Sequence, residues 1–389
     1  MRKFKLLPSI LIGSLSILCA NENYLSQTKQ DILNYSYDKA TEDSNKLKND
    51  WINPITYQYI YSNTETYDTH KSSISISQPI FKSGGIYYAI KYANSIQNET
   101  ITSIDTQKAE LIRQTVNLLF QIRKIDVSIS KQKLLILNAT LDIQRKKEQV
   151  LNGILDTSFL DNSILDANSK RNTLIDLEYE KKSLINNLTI LTDKTYEELE
   201  VPKLKLNTSD DYLNKNIYLQ KVKDEINTAY WFKNMIRSNY LPTINVTADY
   251  SKYHDTDNQS TINEESTNYG FNITIPLDIK SSNTIQSAKI EYLQNKSELE
   301  SKEIEEHVLF KNVEEKIFSI DKKIEIAKSD IDLYDSLITQ IKEQLDVGMK
   351  TQSDLETMQN SGKIKKLEIK SLNIDKQIEL LEIYYRTQQ

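Results

Sequence analysis

The chain has 389 residues, with 49 Lys+Arg against 55 Asp+Glu and a formal net charge of -6. With no strongly basic stretch, that balance argues against nucleic acid as a partner. Seven glycines and six prolines fall far below average usage of roughly 7% and 5%, so long uninterrupted helices are expected.

Residues 1–20 read as a secretory signal peptide: Met1-Arg2-Lys3-Phe4-Lys5, a mostly apolar run from Leu6 to Leu18, then Cys19-Ala20 before the polar Asn21-Glu22-Asn23. Cleavage after Ala20 would remove Cys19, the only cysteine, and with it disulfide and thiol chemistry. The alternative is lipidation of Cys19. Leu18 is larger than the small residue usual in either scheme. Beyond this segment no run of about eighteen apolar residues marks a transmembrane helix. Alternating membrane strands give a far weaker hydropathy signal and stay open.

Residues 23–50 suggest an opening helix with Ile32, Tyr35 and Leu47 as its apolar positions, ended by Trp51-Ile52-Asn53-Pro54. Ile55, Tyr57, Tyr59 and Tyr61 then alternate with Thr56, Gln58, Ile60 and Ser62, a strand with an aromatic face. The polar tract 63–71 turns the chain. A second strand, Ser72 to Phe81, returns with Ile74 and Ile76 on one face and Ser73, Ser75 and Ser77 on the other, giving a hairpin. Pro79 cannot donate to a ladder, so the strand should end nearby, and Gly84 and Gly85 permit reversal into a helix. From 86 to about 194 there is no proline and one glycine, Gly153, which predicts two long helices joined there. Ile112, Val116, Leu119, Ile122, Ile125 and Ile129 stripe the first; Leu174, Leu177, Leu184, Leu188 and Leu191 stripe the second, interrupted by Lys181. At about 1.5 Å per residue the first helix would be on the order of 100 Å long, more than a globular domain needs.

After a connector over 196–211 the pattern restarts. A helix over 217–237 leads through Tyr240-Leu241-Pro242 to a strand with Ile244, Val246, Ala248 and Tyr250 against Thr243, Asn245, Thr247 and Asp249. A polar loop over 252–266 joins it to a strand in which Tyr269, Phe271, Ile273 and Ile275 alternate with Asn272 and Thr274 before Pro276. A second helical pair runs from 283 and turns at Gly348. Pro54, Pro79 and Gly153 recur as Pro242, Pro276 and Gly348, at offsets of 188, 197 and 195 residues. The expected division is a signal peptide (1–20), a first repeat (21–200; hairpin about 54–81, helix turn near 153) and a second (201–389; hairpin about 242–277, helix turn near 348). Ile317, Ile320, Ile324, Ala327, Ile331, Tyr334, Ile338, Ile341 and Leu345 alternate +3 and +4 without a slip, as do Ile364, Leu367, Ser371, Ile374, Ile378, Leu381 and Tyr385. A strict 3.5 period means left-handed coiled-coil packing.

No phosphate-binding glycine loop, dinucleotide fingerprint or H-E-x-x-H motif is present, so no catalytic residue, cofactor or metal site is suggested. His70 and His254 fall in or beside the hairpin loops and His307 on a charged helix, none near another in sequence. Acidic runs such as Glu303-Ile304-Glu305-Glu306 read as solvated helix faces.

Four strands of lipid-spanning length, each with one apolar face, cannot close a barrel alone. Unpaired edges in lipid cost several kcal/mol per group, so self-association is required. Gln78-Pro79-Ile80-Phe81 with Gly84-Gly85, Tyr240-Leu241-Pro242, Ile275-Pro276-Leu277 and the stretch from Gly348 to Leu355 resemble the TolC family of outer-membrane efflux proteins. The fold class this implies is mainly α with a membrane β-barrel: long coiled-coil helices form a periplasmic α-barrel, and four strands per chain contribute to a trimeric 12-stranded barrel. The implied protein is a passive homotrimeric duct in the outer membrane of a Gram-negative bacterium, serving efflux or type I secretion. Its implied partners are outer-membrane lipid, a periplasmic adaptor and an inner-membrane transporter. The resemblance places the periplasmic gate at the helix turns, with Asp354 as its acidic residue and Lys350 and Thr351 beside it; Thr357 stands where a second acid can occur. In the first repeat Phe159 matches Asp354, and Asp156 and Asp161 are off register. A helix cap is the alternative role for Asp354. A soluble periplasmic coiled-coil adaptor or structural protein is the alternative for the chain, since the heptads alone would support it.

Overall fold

The computed structural model describes residues 24–63, 68–254 and 265–387. The signal-peptide segment and most of the second hairpin loop lie outside them. The elements, in order, are α1 (Gln27–Asn49), β1 (Thr56–Asn63), β2 (Asp68–Phe81), α2 (Gly85–Leu151), α3 (Thr157–Leu188), α4 (Ser209–Asn214), α5 (Ile217–Ser238), β3 (Thr243–Tyr253), β4 (Glu265–Thr274), α6 (Ser281–Asp346) and α7 (Gln352–Tyr384). The described residues are mainly helical, with one antiparallel sheet in the order β1-β2-β3-β4.

Packing groups the chain into two compact units, each drawn from both halves of the sequence. A helical unit comprises residues 24–32, 107–216 and 305–387; a sheet unit comprises 33–106 and 217–304.

In the helical unit the apolar stripes are buried where expected: Ile112, Val116, Leu119, Ile122 and Ile125 on α2, and Ile317, Ile320, Ile324 and Ala327 on α6. Leu119 and Ile122 pack with Leu188 and Leu199 in one cluster. The intruding lysine has a partner on α2. Lys181 Nζ lies 2.8 Å from Asp126 Oδ1 and 3.2 Å from the Tyr196 hydroxyl, and Asp126 above all raises its pKa. A buried polar knot crosses the same unit. Glu306, 2% exposed at its side chain, accepts from Arg386 NH1 at 2.8 Å, from Asn216 Nδ2 at 2.9 Å and from the Tyr212 hydroxyl. Burial first, and then Glu306, push the Tyr212 phenol upward. Glu306 is thus no solvated acid, although its neighbours in sequence are.

In the sheet unit two expectations are corrected. Leu33, Ala40 and Ser44 form the buried side of α1, while Ile32 and Tyr35 are exposed. The packing there relies on small residues and a hydrogen bond, the Ser44 hydroxyl donating to the Ala93 carbonyl at 3.0 Å, which hydrophobicity does not register. β2 begins at Asp68, four residues ahead of the expected start. Asn63 faces Asp68 in the ladder and donates to it at 2.6 Å, so Asn63 and the residues from Asp68 to Lys71 belong to the strand pair. His70 accordingly sits inside β2. The strand ends at Phe81, as expected, with Pro79 two residues before its end opposite Asn245 and the register slipping between Pro79 and Phe81. The bulge absorbs the missing donor.

Candidate pore segment and gate

The ladder register assigns each sheet residue to a face, because opposed residues share a face and successive ones alternate. On one face lie the rows Tyr57–Ile74–Tyr250–Thr267, Val246–Phe271 and Ile244–Ile273. On the other lie Thr56–Ser75–Asp249–Asn268, Gln58–Ser73–Ser251–Ser266 and Asn245–Asn272. Two opposite surfaces result, one apolar and aromatic, one hydroxyl- and amide-rich. Within the single chain the apolar one is uncovered: Tyr269 is 87% and Phe271 74% exposed. The segment after β4 continues the exposure, with Leu277 at 94% and Ile279 at 99% beside Pro276. β1 and β4 are open edges.

Toward the hairpin ends the apolar face turns polar. Tyr59 Oη lies 2.7 Å from His70 Nδ1, Ser72 Oγ lies 2.6 Å from His254 Nε2, and Lys252 pairs with Glu265 at 2.7 Å. The aromatic rings thus stand between an apolar band and charged groups.

At the opposite ends of the strands the chain reverses tightly into helix. Ser83 (φ 45°) and Gly84 (φ 84°) adopt left-handed backbone, and the Ser83 hydroxyl donates to the Pro242 carbonyl at 2.6 Å. A Cβ on Gly85 would stand 2.7 Å from Ser238 Oγ, so glycine is needed there for close approach.

The two helix turns of the helical unit are built alike. Gly153 (φ 67°) donates to the Val150 carbonyl at 3.0 Å and Ile154 to that of Gln149 at 2.9 Å; Gly348 (φ 77°) donates to Leu345 at 2.9 Å and Met349 to Gln344 at 2.8 Å. Both are left-handed glycine caps with paired closing bonds. Three residues beyond each glycine stands the next N-cap. Asp156 accepts from Ser158 N at 2.8 Å, and Thr351 Oγ1 accepts from Asp354 N at 3.2 Å.

Asp354 is not itself that cap. It returns the bond as the acidic member of a capping box, its Oδ2 accepting from Thr351 N at 3.1 Å. That backbone donation, ahead of the Thr351 hydroxyl, Lys350 and Arg145, holds its carboxyl below the usual range. Arg145 of α2 reaches Asp354 at 3.4 Å and also pairs with Asp142. The structure thus joins Asp354, Thr351 and Arg145, the last absent from the sequence-derived set. Asp156 caps α3, Asp161 and Lys350 are exposed, and Phe159 is exposed where Asp354 stands in the other turn. Arg145 and Asp354 stand 209 residues apart, so no local motif links them.

A family model described as outer membrane efflux protein matches residues 211–376. Over that stretch the chain is similar to outer membrane efflux proteins. No curated protein matches the chain. Among solved structures, it resembles the Campylobacter jejuni CmeC outer membrane channel with a TM-score of 0.74 at 13% identity, over 95% of this chain and 84% of that one. The outer membrane protein VceC of Vibrio cholerae gives 0.73 at 11% identity, over 94% of each chain. The open state of the Neisseria gonorrhoeae MtrE outer membrane channel gives 0.67 at 12% identity, over 94% and 86%. At these identities what is shared is the outer-membrane-channel fold.

Proposed function

We propose that the chain is one subunit of a passive outer-membrane export duct. Three copies pair their open edges, β1 to β4, so that twelve strands close a barrel. The aromatic face meets lipid and the hydroxyl- and amide-rich face lines water. The paired helices continue the duct through the periplasm of a Gram-negative cell. There the turns at Gly153 and Gly348 form the entrance and meet an adaptor and an inner-membrane transporter, in efflux or type I secretion. The chain divides as two repeats, 21–200 and 201–389, behind an export signal.

The observation that carries this reading is the register of the sheet. One face of four adjacent strands is apolar, the other polar, and among the described residues both edges lack a partner. A soluble protein would pay to expose such a face; lipid requires it, and requires the edges to be paired. Similarity over 211–376 and the channel fold of the neighbours support the duct over a soluble adaptor.

The purified full-length protein should migrate as a heat-sensitive trimer and conduct ions across planar bilayers. Single cysteines at Gln58 and Asn272 should react with a membrane-impermeant thiol reagent, while those at Tyr59 and Phe271 should not. Equal labelling of both pairs, or a monomer without conductance, would overturn the reading.

A further inference from the structure

In the sheet unit, α2, α5 and α6 line a partly open pocket of about 290 Å³. Each helix contributes one carboxylate to its lining: Glu99, Glu225 and Glu291. Two aromatic rings, Tyr92 and Phe232, stand 5.3 Å apart on the wall. Negative charge is poorly balanced there. Lys221 approaches Glu225 only to 3.9 Å, and among the described residues Glu99 and Glu291 form no ion pair.

Thr228, also on the wall, is an independent pointer. It is 9% exposed, and its hydroxyl is the one buried side-chain oxygen without a hydrogen-bond partner among the described residues. Helical threonines ordinarily bond the carbonyl four residues back; Thr115 and Thr140 do so here, each at 2.9 Å. Thr228 leaves that bond unmade, at the cost of a desolvated hydroxyl. Burial, and after it Glu99, Glu298 and Asp224 acting against Lys221, push the Glu225 carboxyl upward. A half-buried acid whose one cation stands 3.9 Å away and an unpartnered hydroxyl on one wall define a place for a donor that carries positive charge. A metal ion does not suit it, since among the described residues no three His, Cys, Asp or Glu side chains are grouped to hold one.

We infer that this pocket binds a small organic ammonium ion bearing an aromatic or short apolar group, with Glu225 and Glu99 as counter-charges, Thr228 as hydrogen-bond acceptor and the Tyr92–Phe232 pair as the apolar wall. Ammonium beside carboxylate gains a charge-assisted bond, and an aromatic face adds attraction to the cation. The inference does not depend on the export reading, because binding is measured without transport.

Calorimetric titration of the detergent-solubilised full-length protein with phenethylammonium chloride tests it, using 2-phenylethanol as the neutral twin and Mg²⁺ as a divalent probe. One saturable ammonium site per chain is expected, with the alcohol bound about tenfold more weakly or worse. Glu225→Gln should lose about tenfold in ammonium affinity and Thr228→Val about threefold, both with a wild-type melting profile. If either variant fails to fold, Glu99→Gln at a half-exposed position replaces it and should also lose about tenfold. Equal binding of amine and alcohol, unchanged affinity in Glu225→Gln or Glu99→Gln, absence of saturable heat, or a response to Mg²⁺ alone would each overturn the assignment.

Discussion

The helical unit and the sheet unit handle exposed chemistry in opposite ways. In the helical unit even a buried carboxylate, Glu306, finds its partners within one chain, and the apolar stripes of α2 and α6 bury against neighbouring helices. The sheet leaves an aromatic face bare and two edges unpaired. The helical unit settles its buried charge internally, although single residues such as Leu151, Ile175, Ile326 and Met349 stay exposed there, whereas the sheet leaves a whole contiguous face open. On the proposed reading, lipid and sister strands are the partners that this two-faced register would meet.

The largest test of that contrast is Glu306→Ala. It leaves the Tyr212 hydroxyl without its acceptor and takes the carboxylate from Arg386, which keeps its bond to the Glu382 carbonyl; breaking a buried pair by removing one member costs about 3–5 kcal/mol. Thermal melting followed by helical circular dichroism should show the loss. A change under about 1 kcal/mol would mean that the knot is not what completes the helical unit. Next comes the sheet. Phe271→Arg should destabilise the assembled barrel by about 2–4 kcal/mol, whereas Asn272→Arg on the opposite face should cost little. Equal penalties in urea titrations of the folded protein in detergent would remove the distinction between the faces.

Much of this contrast was legible in the sequence. Strand alternation gives the faces directly, because Phe271 and Asn272 must point apart once either is in a ladder. The heptads gave the buried stripes because burial repeats with the helical period. What escaped are pairings over long sequence separations. Glu306 looked like part of a wet acidic run because Arg386 and Tyr212 are 80 and 94 residues away. Arg145 likewise meets Asp354 across 209 residues. The buried side of α1 was misassigned because Ala40 and Ser44 carry little hydrophobic weight. The early start of β2 was missed because Asp68 and Asn63 pair through polar side chains.

A smaller effect compares the two helix turns. No atom would crowd a Cβ on Gly153 or Gly348, so alanine at either pays only for left-handed backbone, about 1–2 kcal/mol. Matching losses for Gly153→Ala and Gly348→Ala would show that the turns are mechanically equivalent. A marked inequality would point to a partner at one of them.

The smallest expected change in stability is the most informative about function. Asp354→Asn keeps an acceptor for Thr351 and removes one charge near a helix N-terminus, worth about 0.5 kcal/mol. Because its folded-state pKa is depressed, the carboxylate's contribution is fully present above its ordinary value of 3.8 and is lost as pH falls through the lower folded-state value. Near neutral pH, therefore, the variant should melt almost as the parent does, and the difference should vanish in strong acid. The electrical consequence is larger. If three copies bring Asp354 around one opening, their carboxylates attract multivalent cations, while Arg145 at 3.4 Å offsets part of the field. Asp354→Asn should abolish block of single-channel current by multivalent cations added from the periplasmic side, and Arg145→Gln should deepen it. Unaltered block in both variants, with melting curves as expected, would leave Asp354 as the acidic half of a capping box and place the gate elsewhere on the two turns.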